Sequence, residues 1–467
     1  MNIAKKITIL PALLLAAFLC CSASLAVSAQ SADDTVKTEF SDVAADDWFY
    51  EDVTRLTSLG ILNGYPDGQF HPEREITNAE FIKVLICTDT ALEPVADDSS
   101  LFAGHWASGY IAEALRRGIL TESDLAYGFD PDAPISRSAM TKMMIRALGI
   151  EPARIDDPFT DISDIYASTA YNEYLLRGYP HDDGSRTYEG ASSALRSEAA
   201  AIAMRVIEYR EDAYAYKRDA IIANASENIL TTESELIDLF YILNREFYTE
   251  FTFETSIPIG IWQRYYQHSN IIYVEYFYTS SVSIKYLEGG NEYTITLQYD
   301  RDIDELRELH AKVDQKADAV IDSIITDSMT DQDKVKAIHD YIILNCEYDF
   351  DNYLLGTIPS ESRMAYGVLC ERKAVCQGYT AAFNLLCAKV GIRSIAIGGN
   401  APNSSEDHSW NMVLVDGQIY YVDTTHDDPV PDRKGRTSYK YFYLTEAEMT
   451  SLGYVWDKSQ SNIKYFY

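Results

Sequence analysis

The chain has 467 residues, 47% of them hydrophobic, and carries 72 acidic against 39 basic side chains for a formal net charge of −33. That length allows several domains with their own cores. The acidic excess argues against nucleic acid or an anionic membrane surface as a partner, because phosphate binding needs basic patches.

Residues 1–29 have the profile of a secretory signal: Lys5 and Lys6, an apolar run from Ile7 to Leu19, and the small-residue end Val27-Ser28-Ala29. Cleavage after Ala29 is expected. Cys20 and Cys21 follow Ala17-Phe18-Leu19, a poor lipoprotein sequence, so ordinary cleavage is preferred. No later stretch reaches the roughly 18 apolar residues of a membrane span, and no membrane insertion of the mature chain is expected. Five cysteines remain, odd in number and widely spaced, which does not suggest a disulfide framework, although Cys370 and Cys376 could pair reversibly. Metal-ligand spacings such as Cys-x-x-Cys or His-Glu-x-x-His are missing, so neither a metal nor a cofactor is inferred.

An internal repeat follows. Three segments open at Phe40-Ser41-Asp42, Phe102-Ala103-Gly104 and Phe159-Thr160-Asp161. In each, an aromatic lies 12 residues before a glycine expected to end a helix: Trp48 to Gly60, Trp106 to Gly118, Tyr166 to Gly178. Asn78, Arg137 and Arg196 then open second apolar helices, so each unit reads as helix, loop, helix. Trp48 and Trp106 are expected in the core. Turn-forming Asp67-Gly68 and Asp182-Asp183-Gly184 are read as turn chemistry rather than metal loops.

These units, at residues 38–90, 100–150 and 157–210, resemble S-layer homology domains. The resemblance implies an all-α triple repeat that holds an exported bacterial protein on the cell wall through a pyruvylated secondary polysaccharide. The motif Thr-Arg-Ala-Glu of that family stands here as Thr77-Asn78-Ala79-Glu80, Ser136-Arg137-Ser138-Ala139 and Leu195-Arg196-Ser197-Glu198. Arg137 and Arg196 are therefore the candidate wall-polymer residues, since a guanidinium binds a carboxylate with two charge-assisted hydrogen bonds. The alternative is that they pair with local acids. Thr77 and Glu80 also fit a capping box.

Residues 211–330 read as an α+β extension. A helix is expected over Glu233–Phe247, strands including Ile271–Tyr278, a hairpin at Gly289-Gly290 and a charged helix from Ile303. A further helix, Asp331–Asn345, carries Val335, Ile338 and Ile342 on one face.

Residues 331–467 hold the motifs with chemical content. Cys376 opens a helix that ends at Gly391, a position that lowers a thiol pKa through the helix N-terminal field. Asp416-Gly417 is a two-residue hairpin signal. Pairing Val415 with Gln418 puts His408 opposite Thr425 and Trp410 opposite Asp423, so His408 and Asp423 are diagonal neighbours on one face. Cys346, Cys387 and Cys87 read as buried apolar residues.

The stretches KVKAIHDYIILNCEYD, AYGVLCERKAVCQGYTAAFNLLCAKVGI and HSWNMVLVDGQIYYVDTTHDDP resemble the transglutaminase-like superfamily of papain-like fold, an α+β domain with an antiparallel sheet. The resemblance implies Cys376 as nucleophile, His408 as base and acid, and Asp423 as the orienting carboxylate, acting on protein or peptide amides by hydrolysis or acyl transfer. His426 stands where many relatives have Trp. The Cys376 N–H is the natural oxyanion donor and Tyr366 a second candidate, with a purely structural tyrosine as the alternative. A noncatalytic surface-binding protein is the competing reading.

Overall fold

The computed structural model describes residues 40–89, 102–126, 128–152, 158–181, 185–258, 279–287, 289–326, 328–402, 407–431 and 435–458. The expected signal segment, the strand at Ile271–Tyr278 and the turn at Asp182-Asp183-Gly184 lie outside the described residues.

The first repeat contains α1 (Tyr50–Ser58) and α2 (Asn78–Cys87), and the second α3 (Ser108–Arg116), α4 (Glu122–Ala126) and α5 (Arg137–Ala147). The third contains α6 (Ile165–Asn172), β1 (Tyr179–Pro180), β2 (Arg186–Thr187) and α7 (Arg196–Glu211). The antiparallel β1–β2 ladder means the repeats are not purely α-helical.

The three repeats close into a ring. Ile76 donates its N–H to Ala194 O, Ala194 to Ile135 O, and Ile135 to Ile76 O, at 2.9–3.0 Å, and all three are fully buried. The residue that opens each second helix then reaches into the loop of the next unit. Asn78 donates to Asp130 O and Ala133 O, Arg137 to Tyr188 O, and Arg196 to Phe70 O. Caps precede two of these helices: the Thr77 and Ser136 hydroxyls accept from Glu80 N and Ala139 N. Glu80 completes the capping box at Thr77.

Two expectations are corrected. Trp48 and Trp106 are 65% and 58% exposed, because α1 and α3 begin two residues later and Phe49, Val53 and Leu56 fill the first core instead. Gly178 does not end α6. The left-handed position that Gly60 and Gly118 occupy (φ 71° and 70°) falls to Tyr174 (φ 60°), and the following two N–H groups bond back to the helix identically in each case. Gly178 is instead the counterpart of Gly64, each too close to a phenylalanine, Phe159 or Phe40, to carry a side chain. A left-handed non-glycine residue costs about 1–2 kcal/mol. Tyr174 offsets this by donating its buried hydroxyl to Asp238 at 2.8 Å.

That bond belongs to the junction with the rest of the chain. Tyr171 and Arg177 both reach Glu235, at 2.9 and 2.5 Å. Glu235 and Asp238 lie on α9 (Glu233–Arg245), which follows α8 (Ala213–Glu227) and β3 (Ile229–Leu230). Strands β4 (Glu250–Thr255), β5 (Thr279–Tyr286) and β6 (Glu292–Tyr299) join β3 in a sheet of order β3-β4-β6-β5. The register of β5 with β6 matches the expected hairpin over Gly289-Gly290.

The remaining elements are α10 (Ile303–Ile324), α11 (Asp331–Asn345), β7 (Glu347–Tyr348), α12 (Phe350–Leu355), a π-helical turn (Gly367–Glu371), β8 (Lys373–Ala374) and α13 (Cys376–Lys389). Then come β9 (Ser394–Asn400), β10 (Asp407–Val415), β11 (Gln418–Val422), α14 (Thr424–Asp427), α15 (Glu446–Leu452) and β12 (Val455–Trp456). The second sheet is antiparallel, in the order β11-β10-β9-β12.

Alternation along β10 gives this sheet two apolar faces. Trp410 and Met412 share a core with Leu236, Phe240, Phe253 and Ile295, so α9 and the first sheet cover one side. Val413 and Val415 pack with Phe383 and Leu386 of α13 and Ile338 of α11 on the other. Residues 211–330 thus contribute to the core on both faces of the second sheet, with Leu306 and Val313 of α10 joining the side of α13.

Candidate active site

Cys376 is delivered by a short parallel ladder. Tyr348 pairs with Ala374, Val375 is extended (φ −101°, ψ 176°) and donates its N–H to Ser362 O at 2.9 Å, and α13 begins at Cys376. Gly378 is required here, since a Cβ would fall 2.6 Å from Ser362 O. The helix is stapled to the sheet by Asn411, whose amide donates to Thr380 O at 3.0 Å and Asn384 Oδ1 at 2.8 Å. The Thr380 hydroxyl donates to Cys376 O at 2.9 Å and lies 3.2 Å from Ser409 Oγ.

On β10, His408 presents its ring to the thiol, and Ser409 adds hydrogen bonds from side chain and backbone. The ring's Nε2 lies 2.8 Å from Oδ2 of Asp423, which leaves Nδ1 for the thiol. The hairpin register is the expected one, Val415 with Gln418 through Asn411 with Val422. It stops there. Asp423 leaves the ladder to cap α14, with Oδ1 accepting from His426 N at 3.0 Å.

Two further residues meet at this carboxylate. Tyr454, preceding β12, donates its hydroxyl to Asp423 Oδ2 at 2.6 Å. Its oxygen also lies 2.6 Å from His426 Nδ1, which is 2.9 Å from the same carboxylate oxygen. The His426 ring stacks on His408, centroids 4.4 Å apart. His408, Asp423 and His426 are a donor set of the kind that can hold a metal ion. Their 2.8–2.9 Å separations at one oxygen are hydrogen-bond distances, shorter than the gap of about 3.3 Å between two ligands of a tetrahedral zinc ion.

The electrostatics follow from burial and these contacts. Burial works against ionisation of Cys376, but the hydrogen bond and charge of His408, with Ser409, outweigh it and hold the thiol below its ordinary value. Burial likewise opposes protonation of His408. The Asp423 charge and hydrogen bond, followed by those of Cys376, overcome it and raise the imidazole to about 10. Asp423 is fully buried, yet His408 and then His426 keep it well below the usual carboxylate range. The other thiols go the opposite way: burial pushes Cys346 up to about 12 and also raises Cys370 and Cys387. The arrangement can therefore hold a thiolate–imidazolium pair at neutral pH.

Cys376, His408 and His426 line a cleft of about 1010 Å³ whose walls include Tyr348, Phe350, Tyr353 and Gly399. Tyr366 is placed elsewhere. It is buried, its hydroxyl accepts from Lys312 Nζ at 2.8 Å, and it does not line the cleft, so it is not available as an oxyanion donor. Tyr454 was not legible as a site residue, since no motif or spacing links it to Asp423.

The two arginines singled out in the repeats differ. Arg137 pairs with Glu198 and donates to Tyr188 O and to the Tyr179 hydroxyl. Arg196 is buried against the first repeat, donating to Phe70 O and Asn63 O at 3.0 Å, with the rings of Tyr65 and Phe70 each 4.7 Å away. No carboxylate among the described residues forms an ion pair with it, and burial brings its pKa down to about 10.

The S-layer homology domain profile matches residues 39–82 and 102–141, and the transglutaminase-like superfamily profile residues 318–424. The third repeat lies outside those matches. Among known proteins, the chain is similar to the S-layer protein EA1 of Bacillus anthracis, 27% identical over 203 residues, which are 41% of this chain and 23% of that protein. It is also similar to the kyphoscoliosis peptidase of Homo sapiens, 26% identical over 121 residues, 23% of this chain and 18% of that one. The chain thus spans less than a quarter of the length of these relatives. A solved structure described as a TGase aligns over 44% of this chain and 56% of its own, at 17% identity and a TM-score of 0.23. The chain joins S-layer homology segments to a domain of the transglutaminase-like superfamily.

Proposed function

We propose that the protein is an exported, wall-attached thiol enzyme of the bacterial surface that acts on protein or peptide amides. The observation that carries this reading is the chain of contacts from Cys376 at the start of α13 through His408 to buried Asp423. The Cys376 thiolate attacks the amide carbonyl, and the imidazolium of His408 gives its proton to the leaving amine. Water or an amine then enters, loses a proton to His408 and releases the acyl group. Asp423 keeps the ring oriented and stabilises its charged form throughout. The Cys376 N–H, at the first turn of its helix and without a backbone acceptor among the described residues, is suited to the developing oxyanion. A peptidase among the relatives favours hydrolysis over cross-linking.

Attachment is assigned to the repeats, in keeping with the S-layer proteins among the relatives. Arg196, buried with no acid among the described residues paired to it, is the stronger candidate for a carboxylated wall polysaccharide. Arg137 is already neutralised by Glu198. The site of Arg196 is shared by the first and third repeats, so binding should not divide repeat by repeat.

Alkylation tests the catalytic reading. At neutral pH iodoacetamide should label Cys376 well ahead of Cys370, Cys346, Cys387 and Cys87. Uniform labelling would refute it.

A further inference from the structure

The lining of the Cys376 cleft includes exposed apolar side chains. Phe350, Tyr353, Ile358 and Val430 all line it, Phe350 and Tyr353 three residues apart on α12 forming one lip, and Phe350, Tyr353 and Val430 are 42%, 37% and 50% exposed. Leu354 and Leu355, 65% and 74% exposed, continue the apolar surface along α12, a helix that buries no residue. Folding does not account for such a patch on so acidic a chain. Contiguous exposed apolar surface of this kind marks a binding site.

The lip is rigidly tied to the nucleophile. Buried Asp349 donates its N–H to Ala374 O at 2.9 Å, two residues before Cys376. Its carboxylate accepts from Asn352 at 3.0 Å and from Ser362 Oγ at 2.9 Å, which fixes the first turn of α12. Aromatic rings then lead inward. Phe350 stacks on Tyr353 (6.4 Å between centroids, 22° between planes), Tyr353 meets Tyr348 edge-on at 6.0 Å, and Tyr348 lies 6.5 Å from Tyr379. Tyr379 stands on α13 one turn beyond Cys376, its hydroxyl held by Asp428 at 2.5 Å.

We infer that this aromatic wall binds a large apolar or aromatic side chain of the substrate polypeptide beside the reactive amide, so that the preferred substrates are apolar-flanked amides. The inference rests on Cys376 as nucleophile. The charges that also line the cleft are of both signs, Asp407 and Asp428 against Arg363 and His408, so apolar contact rather than charge sets the preference.

Binding to the full-length Cys376→Ala variant tests it without thiol chemistry. The probes are fluorescein-labelled pentapeptides with a central glutamine flanked on both sides by phenylalanine, leucine, serine or glutamate. The phenylalanine and leucine peptides should bind about tenfold or more tighter than the serine peptide, as burial of one large apolar side chain allows. Adding Phe350→Ser and Tyr353→Ser should erase that difference and leave the serine peptide unaffected. Equal affinities, a preference that survives both substitutions, or no measurable binding of the phenylalanine peptide at millimolar concentration would each overturn the inference. The reading of Cys376 as nucleophile fails separately, if wild-type Cys376 is alkylated no faster than Cys370.

Discussion

Tyr454 places its hydroxyl 2.6 Å from Oδ2 of Asp423, a carboxylate 31 residues earlier in the chain. Burial and the charge on Asp423 keep the phenol protonated, so it acts as a donor. It meets the oxygen that also holds His408, 2.8 Å away. A hydrogen bond to a charged group is worth roughly 1.5–3 kcal/mol, part of which is felt in the transition state. Tyr454→Phe should therefore lower kcat by about tenfold with KM nearly unchanged, because the tyrosine positions Asp423 and does not line the cleft. Steady-state kinetics on one amide substrate decide it, and an effect confined to KM would count against the assignment.

Substitution of the three central residues should give an ordered series. Cys376→Ala removes the nucleophile and should cost more than about a thousandfold in kcat/KM, with His408→Ala nearly as severe. Asp423→Asn retains nucleophile and base and should keep about tenfold to a hundredfold more activity than Cys376→Ala. Circular dichroism should show all three folded.

The pH dependence follows from the shifted groups. On the acid side activity fails when the Cys376 thiolate takes a proton, below the ordinary thiol value. On the alkaline side it fails when His408 loses the proton destined for the leaving amine, near pH 10. For stability, an imidazole raised to about 10 contributes fully below its unfolded value of about 6.5, and that contribution disappears as pH rises through about 10. Asp423, lowered in the fold, stabilises above about 3.9 and ceases to do so in stronger acid. A kcat/KM profile with its alkaline limb near 7 would contradict the His408 assignment.

Wall attachment separates the two arginines. Arg196→Ala should weaken pelleting with purified wall polymer by about tenfold or more, while Arg137→Ala, losing a side chain already paired with Glu198, should do less. Thermal melts recorded alongside distinguish lost binding from lost folding, since Arg196 also bonds two backbone carbonyls.

How much of this was legible in the sequence depended on whether local rules governed it. The β10–β11 register followed from Asp416-Gly417, whose positive φ values (51° and 72°) suit a tight hairpin. Helix α13 and its end at Gly391 followed from apolar spacing and a left-handed glycine. Tyr174 did not, because a glycine rule cannot foresee a tyrosine held in that conformation by a carboxylate on a distant helix. Arg196 was legible as a motif residue but not as a guest of the first repeat, since ring closure is a long-range event. Tyr454 was hidden for the same reason, its place being set by how β12 packs on β9.

The central claim is that Cys376 forms a covalent acyl-enzyme. Intact-protein mass spectrometry after rapid acid quench, with an activated ester such as p-nitrophenyl acetate, tests it most directly. The account predicts a single acetyl adduct that maps to Cys376 by peptide mass, decays in water and is lost in Cys376→Ala. An adduct on Cys370, or equal labelling of the Cys376→Ala protein, would contradict it.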